Sequence, residues 1–265
     1  MSGLVSSSNK LEQAAPPAAW RYPRLIAHRG GGVLAPENTL AALRMAATRG
    51  YRAVEFDVML SADGTPMLIH DETLERTSSG RGAVAETSDA TLVTLDAGSW
   101  FGGSFAGEPL PRFLDAGRLC VSTGLWANVE IKPSPGADYA TGRAAARLAA
   151  ELWADAALPP LLSSFSTVAL EAARETAPHL PRGLLYDAPP ENCLSEVRRL
   201  GCVSLHCNCR YFTADLLAQA QAHGVPVALY TVNDIHEARR WLAEGVAAII
   251  TDRIDLIAPD LFRPN

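Results

Sequence analysis

The sequence has no excess of basic residues and no long apolar run. Its 29 acidic side chains outnumber the 23 basic ones, which gives a formal net charge of −6. A nucleic-acid backbone is normally bound by a basic surface, so this balance argues against a nucleic-acid partner, although one local arginine or lysine is enough to hold a small phosphorylated ligand. No stretch approaches the roughly eighteen uncharged apolar residues of a membrane span. We therefore expect a soluble, cytoplasmic protein without stable membrane association.

The sequence also lacks the marks of an exported protein. Residues 1–17 are rich in Ser, Ala and Pro but have no basic start followed by an apolar stretch, so they do not resemble a secretory signal. We expect residues 1–22 to form a flexible lead-in. The cysteines number five, and an odd count suits a reducing compartment in which thiols stay unpaired.

Three of the cysteines and one histidine lie close together within residues 202–209, which raises the alternative of a zinc site. This group lacks the paired Cys-x-x-Cys spacing of structural zinc sites. In a strand, Cys207 and Cys209 would also point to one face and His206 to the other. The zinc alternative is therefore the weaker one.

Short β-branched or apolar runs alternate with longer segments of helical periodicity along most of the chain. This rhythm is typical of parallel βα units, and eight units predict a single (β/α)8 TIM barrel over residues 23–265, with an open doubly wound sheet as the alternative. Polar residues follow many of these runs, as expected at the carboxyl ends of barrel strands. The eight runs are Arg24–Ala27, Ala53–Val58, Trp126–Ile131, Leu161–Ser164, Arg182–Leu185, Val203–His206, Val225–Tyr230 and Ala247–Ile250.

Residues 71–113 interrupt the alternation of strands and helices. This segment is too long and too rich in glycine for a simple crossover, with glycines concentrated in Thr77–Gly82 and Ser99–Gly103. Long inserts at the mouth of a barrel are usually lids or substrate walls, and a surface decoration is the alternative. We therefore predict an insertion in the barrel at about residues 71–113.

Two carboxylates, Glu55 and Asp57, stand two residues apart in the apolar run of residues 53–58. Alternation along a strand would point both to the same face, where two inward-facing like charges are costly to bury without a cation, a proton or water. The alternative is a strand whose solvent-facing side is acidic. The pair is not isolated, however. Charged or polar pairs also end three other apolar runs: His28 with Arg29, His70 with Asp71, and Glu130 with Lys132.

Several separated motifs resemble those of the glycerophosphodiester phosphodiesterase family. They occur in the family's order over roughly residues 24–257, so the resemblance covers most of the chain. The motifs are His28-Arg29-Gly30, Pro36-Glu37-Asn38-Thr39, Glu55-Phe56-Asp57-Val58, Asp63-Gly64, residues 70–77, residues 95–101, Pro109-Leu110-Pro111, residues 128–132 and Thr251-Asp252.

The resemblance implies a (β/α)8 barrel with an insertion after the second strand. It also implies hydrolysis of glycerophosphodiesters to sn-glycerol 3-phosphate and an alcohol, with the help of a divalent cation. Glu55, Asp57 and Glu130 match the positions of the family's metal ligands, and His28 and His70 match its acid/base pair. The sequence does not say which histidine is the acid and which the base, or whether water or a substrate hydroxyl attacks.

The residue types at these positions suit the same chemistry. Carboxylate oxygens without clustered Cys or His favour Mg²⁺ or Ca²⁺ over zinc, with Mn²⁺ as a further option. Arg29 and Lys132 would bind the phosphoryl oxygens with fixed positive charge, although Lys132 has the alternative of pairing with Glu130 along its own strand. Imidazole serves as base or acid near neutral pH, which suits His28 and His70.

Further residues at later strand ends are expected to bind substrate at the mouth of the barrel. Glu37 is an additional candidate, with the alternative that it belongs to the first helical turn. A lysophospholipase D-type phosphodiesterase and a barrel that binds phosphodiesters without turnover are the alternative functions. The leaving alcohol, and the choice between a monomer and a homo-oligomer, stay open. The later candidates are Ser164, Phe165, His206, Asn208 and Tyr230.

Overall fold

Eight strands pair side by side in parallel and close a ring, because the first strand pairs with both the second and the last. The structure, a computed structural model, describes residues 20–259. A further short strand, β3, pairs antiparallel with the second strand and lies outside the ring. The strands are β1 (Leu25–Ala27), β2 (Ala53–Leu60), β3 (Pro66–Leu68), β4 (Trp126–Ile131), β5 (Leu161–Ser164), β6 (Arg182–Tyr186), β7 (Ser204–Asn208), β8 (Val227–Tyr230) and β9 (Ala248–Thr251).

The predicted (β/α)8 barrel is confirmed. Each of the eight predicted runs becomes a strand of the ring, with bounds within two residues of those observed. Strand β3 was not predicted, since three residues that begin with a proline are too few to display an alternating pattern.

Helices follow the strands along the chain. Among residues 20–259, none of them is both long and apolar enough to cross a bilayer. The cytoplasmic location expected from the sequence stays a prediction. The helices are α1 (Leu40–Thr48), α2 (Asp89–Leu92), α3 (Phe113–Thr123), α4 (Asp138–Leu152), α5 (Thr167–Thr176), α6 (Cys193–Leu200), α7 (Ala214–Ala222) and α8 (Ile235–Glu244).

Alternation along β2 separates the apolar core from the polar interior of the ring. Val54, Phe56 and Val58 belong to the large buried cluster that fills the space between the strands and the helices. Glu55 and Asp57 point the other way, into the ring. Strand β4 lies in register beside β2, so that Asp57 stands opposite Glu130 and their carboxylates meet.

Aromatic side chains fill the end of the barrel opposite the carboxylates. Tyr22 stacks on Trp126 with 4.6 Å between ring centroids, and Trp20 packs edge-on against both rings. Trp20 and Tyr22 are each more than 90% buried. The predicted flexible lead-in over residues 1–22 is therefore wrong at its end, because these two rings close the barrel interior. Residues 1–19 of that prediction lie outside the described residues.

The segment between β3 and α3 has a small core of its own. It carries the short helix α2 and two short 3-10 helices, and its buried residues Leu74, Val84 and Leu92 cluster with Met59 of β2 and Met67 of β3. This apolar cluster anchors the segment to the barrel. The segment is therefore a packed part of the molecule, beginning where β3 ends next to the candidate site.

Candidate active site

A cavity of about 450 Å³ opens at the carboxyl ends of the barrel strands. Strands β1, β2 and β4 supply its charged side, and β5, β7 and β8 supply aromatic and amide groups on the other side. Nine of the residues predicted from the sequence meet in its lining. They are His28, Arg29, Asp57, His70, Glu130, Lys132, Phe165, Asn208 and Tyr230.

Three buried carboxylates meet inside the ring, and two of them, Asp57 and Glu130, line the cavity. Oxygens of Glu55, Asp57 and Glu130 all lie within 4.8 Å of one another. Burial raises the pKa of Glu55 well above its ordinary value, and repulsion from Asp57 and Glu130 adds to the shift. Burial, followed by repulsion from Asp57, raises the pKa of Glu130 to about 8. Among residues 20–259 this is the one acidic, histidine or cysteine group with the geometry to hold a metal ion.

The turn after β1 fixes two of these carboxylates. The backbone N–H of Arg29 donates to Glu55 Oε2 at 2.9 Å. The side chain of Asn38 donates to Asp57 Oδ2 at 2.8 Å and accepts from the Asp57 backbone N–H at 3.0 Å. Arg29 and Asn38 both have positive φ angles, of 49° and 58°, which few non-glycine residues adopt. The backbone of this turn is therefore shaped to place its donors on the carboxylates.

Each histidine of the site is backed by an aspartate. His28 Nδ1 lies 2.6 Å from Asp252 Oδ1, and His70 Nδ1 lies 2.6 Å from Asp71 Oδ1. An Nδ1–H that donates to a carboxylate leaves Nε2 as the free nitrogen of the neutral ring. Nε2 of His28 lies 3.9 Å from Glu55 Oε2, while Nε2 of His70 contacts the Lys132 ammonium group. In both imidazoles the nitrogen directed away from the aspartate is thus Nε2, which lies near Glu55 in His28 and contacts Lys132 in His70.

The charge around His70 favours its neutral form. Partial burial lowers the pKa of His70, and although Asp57 and Asp71 act in the opposite direction, Arg29 and Lys132 add to the lowering. In a neutral imidazole with Nδ1–H held by Asp71 the lone pair is on Nε2, where it accepts from the Lys132 ammonium group.

Residues 28–256 match the glycerophosphoryl diester phosphodiesterase family. This chain belongs to that family. A glycerophosphodiester phosphodiesterase from Caldanaerobacter subterraneus is 33% identical over 232 residues, which cover 86% of this chain and 93% of that protein. The family resemblance read from the motifs is therefore confirmed.

Solved structures agree with the family assignment. A phosphodiesterase from Oleispira antarctica, in complex with the product sn-glycerol-3-phosphate, is 35% identical and superposes with a TM-score of 0.85 over 91% of this chain and 97% of that one. A glycerophosphodiester phosphodiesterase from Agrobacterium tumefaciens is 28% identical, with a TM-score of 0.73 over 89% of this chain and 99% of that one.

Two predicted substrate-binding residues of this family member lie away from the cavity. Ser164 is fully buried, and its hydroxyl donates to the Ile131 carbonyl at 2.6 Å. His206 is fully buried inside the barrel, where its Nε2 lies 3.0 Å from Ser204 Oγ, and desolvation lowers its pKa to about 4. His206 points into the ring like Asn208, but it lies two residues deeper along β7 and stops short of the mouth.

Glu37 lies beside the cavity and holds another residue of the site. Its Oε1 accepts from the Arg29 guanidinium at 2.6 Å. It precedes α1 by three residues, and Thr39 is the residue whose side chain caps that helix. The alternative that Glu37 belongs to the first helical turn is therefore wrong, and its contacts are with arginine side chains.

The cysteines near β7 do not gather around a metal. Cys207 is buried in the outer core, whereas His206 points into the ring, as strand alternation predicts. Cys209 is half-buried, and its thiol donates to the Thr231 carbonyl. Within residues 20–259 the zinc alternative thus has no geometric support.

The aspartates that orient the histidines were missed as site residues in the sequence. Asp252 follows β9, which pairs with β1, and Ala27 stands opposite Thr251, so His28 and Asp252 leave the ring side by side. Asn233 holds Asp252 in turn, with its amide donating to Asp252 Oδ2 at 2.9 Å. The usable signal was the position of Asp252 directly after the last strand of a closed barrel, next to His28 after the first.

Proposed function

We propose that this protein hydrolyses glycerophosphodiesters to sn-glycerol 3-phosphate and an alcohol, using a divalent cation held by Glu55, Asp57 and Glu130. The observation that carries the proposal is the convergence of three buried carboxylates between two histidines that are each backed by an aspartate. The family supplies the substrate class, and the relative from Oleispira antarctica was solved with sn-glycerol-3-phosphate. The substrate is thus a small molecule that fits a cavity of about 450 Å³.

The carboxylate group suits a hard divalent cation such as Mg²⁺, Ca²⁺ or Mn²⁺. Three buried carboxylates with oxygens within 4.8 Å repel one another unless protons or a cation offset their charge. Oxygen donors without sulfur or imidazole ligands are those that hard cations prefer. When bound, the cation neutralises charge on the phosphoryl oxygens and so favours attack at phosphorus.

Arg29 and Lys132 are placed to bind the phosphoryl group. Both line the cavity, and Lys132 Nζ lies 4.0 Å from Asp57 Oδ1. Arg29 is held by Glu37 at 2.6 Å and its Nε lies 3.7 Å from Asp57 Oδ2, so its guanidinium is fixed beside the carboxylate group. Fixed cations on these oxygens stabilise the charge that develops during displacement at phosphorus.

The two histidines differ in the charge that surrounds them, which assigns their roles in this proposal. Burial lowers the pKa of His70 and Asp71 holds its Nδ1, so His70 is the base in this proposal. Its Nε2, which accepts from Lys132 in this structure, takes the proton of the attacking oxygen when Lys132 binds the phosphoryl group. His28 lies beside the carboxylate group on the other side, with its Nδ1 2.6 Å from Asp252 and its Nε2 3.9 Å from Glu55. With His70 as the base, His28 is the acid that donates the Nε2 proton to the leaving alkoxide.

Single alanine variants of the two histidines test the proposal. His28→Ala and His70→Ala should each lower kcat by about 100-fold or more, because each removes a proton-transfer group. Release of sn-glycerol 3-phosphate from glycerophosphocholine measures the rate, and thermal unfolding checks that each variant is folded. His236→Ala, which removes an exposed histidine of α8, is the matched control.

Full activity in either histidine variant would remove that residue from the mechanism. A wild-type protein that binds a glycerophosphodiester but releases no product would instead favour the non-catalytic barrel.

A further inference from the structure

Arg76, in the insertion after β3, binds two carboxylates at once. Its Nε and NH2 donate to Asp71 at 2.5 and 3.0 Å. Its NH1 and NH2 donate to Glu37 at 2.8 and 2.9 Å. Both contacts are two-point contacts between a planar guanidinium and a carboxylate, which fix orientation as well as distance. Arg76 thus joins a residue that follows β1 to one that follows β3.

Each of the two carboxylates also holds a residue of the candidate site. Asp71 Oδ1 lies 2.6 Å from His70 Nδ1, and Glu37 Oε1 accepts from Arg29 NH1 at 2.6 Å. A continuous series of hydrogen bonds therefore runs from His70 through Asp71, Arg76 and Glu37 to Arg29. One end of the series is the proposed base, and the other is the proposed phosphoryl-binding arginine. Arg76 itself does not line the cavity.

The charges along this series are balanced only when Arg76 is present. Asp71 and Glu37 are two anions, and Arg29 is already shared with Asp57, 3.7 Å from its Nε. Hydrogen bonds from Arg76 are the main cause that holds the pKa of Asp71 far below its ordinary value. Burial works to raise the pKa of Glu37, but hydrogen bonds from Arg76 and attraction to both arginines outweigh it and lower that pKa.

We propose that Arg76 is a positioning residue that aligns the proton-transfer group and the phosphoryl-binding group of this site together. It acts on His70 through Asp71 and on Arg29 through Glu37. The inference rests on the proposed function for the roles of His70 and Arg29. It gives the insertion a specific task, because a residue outside the barrel ring holds two elements of the active site in a fixed relation.

Kinetic constants separate the effect of Arg76 on His70, through Asp71, from its effect on Arg29, through Glu37. Asp71→Asn should lower kcat with little change in KM, since it frees the His70 ring. Glu37→Gln should raise KM with a smaller change in kcat, since it frees the Arg29 guanidinium. Arg76→Gln should do both, each by about 10- to 100-fold, the range expected when a reacting or binding group is misplaced by about 1 Å. The double variant Asp71→Asn/Arg76→Gln should show the kcat of Asp71→Asn alone and the KM of Arg76→Gln alone.

Two further measurements separate positioning from mere folding. Arg76→Lys should have an activity between those of Arg76→Gln and wild type. Added guanidinium should restore the activity of Arg76→Ala, because the Arg76 side chain is 44% exposed and its removal leaves a gap open to solvent. Arg81→Gln, another exposed arginine of the insertion, is the matched control and should behave like wild type. Thermal unfolding of every variant shows whether the folded fraction has changed.

Nitrogen-15 NMR of labelled histidine tests the effect of Arg76 on the His70 ring without turnover. The six histidines give few signals, and His70→Ala identifies the one that belongs to His70. In wild type this signal should report a single neutral tautomer with the proton on Nδ1. In Arg76→Gln it should shift toward exchanging tautomers and a protonated ring, because Asp71 loses its compensating charge.

Unchanged kcat and KM in a folded Arg76→Gln variant, or an unchanged His70 signal, would overturn the inference. So would a loss of activity that matches the loss of folded protein. Failure of the proposed function has a different signature, since wild type itself would then release no product from any glycerophosphodiester, and the NMR comparison would still decide the position of His70.

Discussion

Replacing Glu130 with glutamine should stabilise the metal-free protein while it removes activity. Glu130 is 8% exposed and stands opposite Asp57 in the ring. Its carboxylate is one of three whose oxygens lie within 4.8 Å of one another. Glutamine keeps the size and shape of the side chain but carries no charge. The substitution therefore removes a repulsion from the folded protein together with a ligand of the proposed cation.

The size of the effect follows from proton linkage. Glu130 has an ordinary pKa of 4.5, which burial and repulsion from Asp57 raise to about 8 in the folded protein. Between these two pH values the folded state holds one more proton than the unfolded state, so stability falls as pH rises, by about 1.4 kcal/mol per pH unit. At pH 7 the free energy of unfolding of wild type is therefore lower than at pH 4.5 by about 3 kcal/mol. Glutamine does not titrate and avoids this loss.

Urea unfolding of EDTA-treated protein between pH 5 and pH 8 measures the difference. The free energy of unfolding of wild type should fall relative to that of Glu130→Gln as pH rises. Added Mg²⁺, Ca²⁺ or Mn²⁺ should stabilise wild type and have much less effect on the variant, because ligands bound only to the folded state stabilise it. Glu151→Gln, an exposed glutamate of α4, is the matched control and should follow wild type.

A metal-free Glu130→Gln variant that is less stable than wild type at pH 8 would show that the buried Glu130 carboxylate does not destabilise the folded protein. It would mean that the carboxylate is already compensated by Arg29 and Lys132, and that its crowding with Asp57 has no net cost.

Three other substitutions test the roles of Asp252, His206 and Trp20. Asp252→Asn should lower kcat at least tenfold with little change in KM, because His28 loses the acceptor that orients its ring; steady-state kinetics with an unchanged kcat would contradict this role. His206→Gln should change the thermal unfolding midpoint but leave KM for a glycerophosphodiester unchanged, since His206 is buried below the cavity, and a raised KM would show that it reaches substrate. Trp20→Ala should destabilise the protein by about 3 kcal/mol in urea unfolding, because it opens the aromatic end of the barrel, and a loss below about 1 kcal/mol would show that Trp20 adds little.

Local sequence patterns predicted the barrel and its charged half well. Strands such as β2 and β4 are apolar on one face and end in charged residues, so both their positions and the direction of Glu55, Asp57 and Glu130 follow from a period of two. The same rule places His28 at the mouth, because it directly follows β1.

Depth within the barrel was harder to predict. His206 and Asn208 share a face of β7, and alternation alone does not say which of them reaches the cavity. Their place along the barrel axis depends on how β7 is paired with β6 and β8, which no local pattern in the sequence reveals.

Contacts between distant segments account for most of what was missed. The pairing of His28 with Asp252 joins residues 224 positions apart, and that of Arg76 with Glu37 joins residues 39 positions apart. In the sequence Asn38 is recognisable only as part of a motif, but its side chain donates a hydrogen bond to Asp57, 19 positions away. Such partners are set by tertiary packing, and Trp20 belongs to the barrel for the same reason.

Release of sn-glycerol 3-phosphate from glycerophosphocholine, before and after exhaustive chelation with EDTA, is the decisive measurement of metal-dependent diester hydrolysis. We expect turnover by the untreated protein, its loss on chelation and its recovery when Mg²⁺, Ca²⁺ or Mn²⁺ is restored. Full activity after chelation, or release of phosphate only from synthetic monoesters, would contradict this expectation.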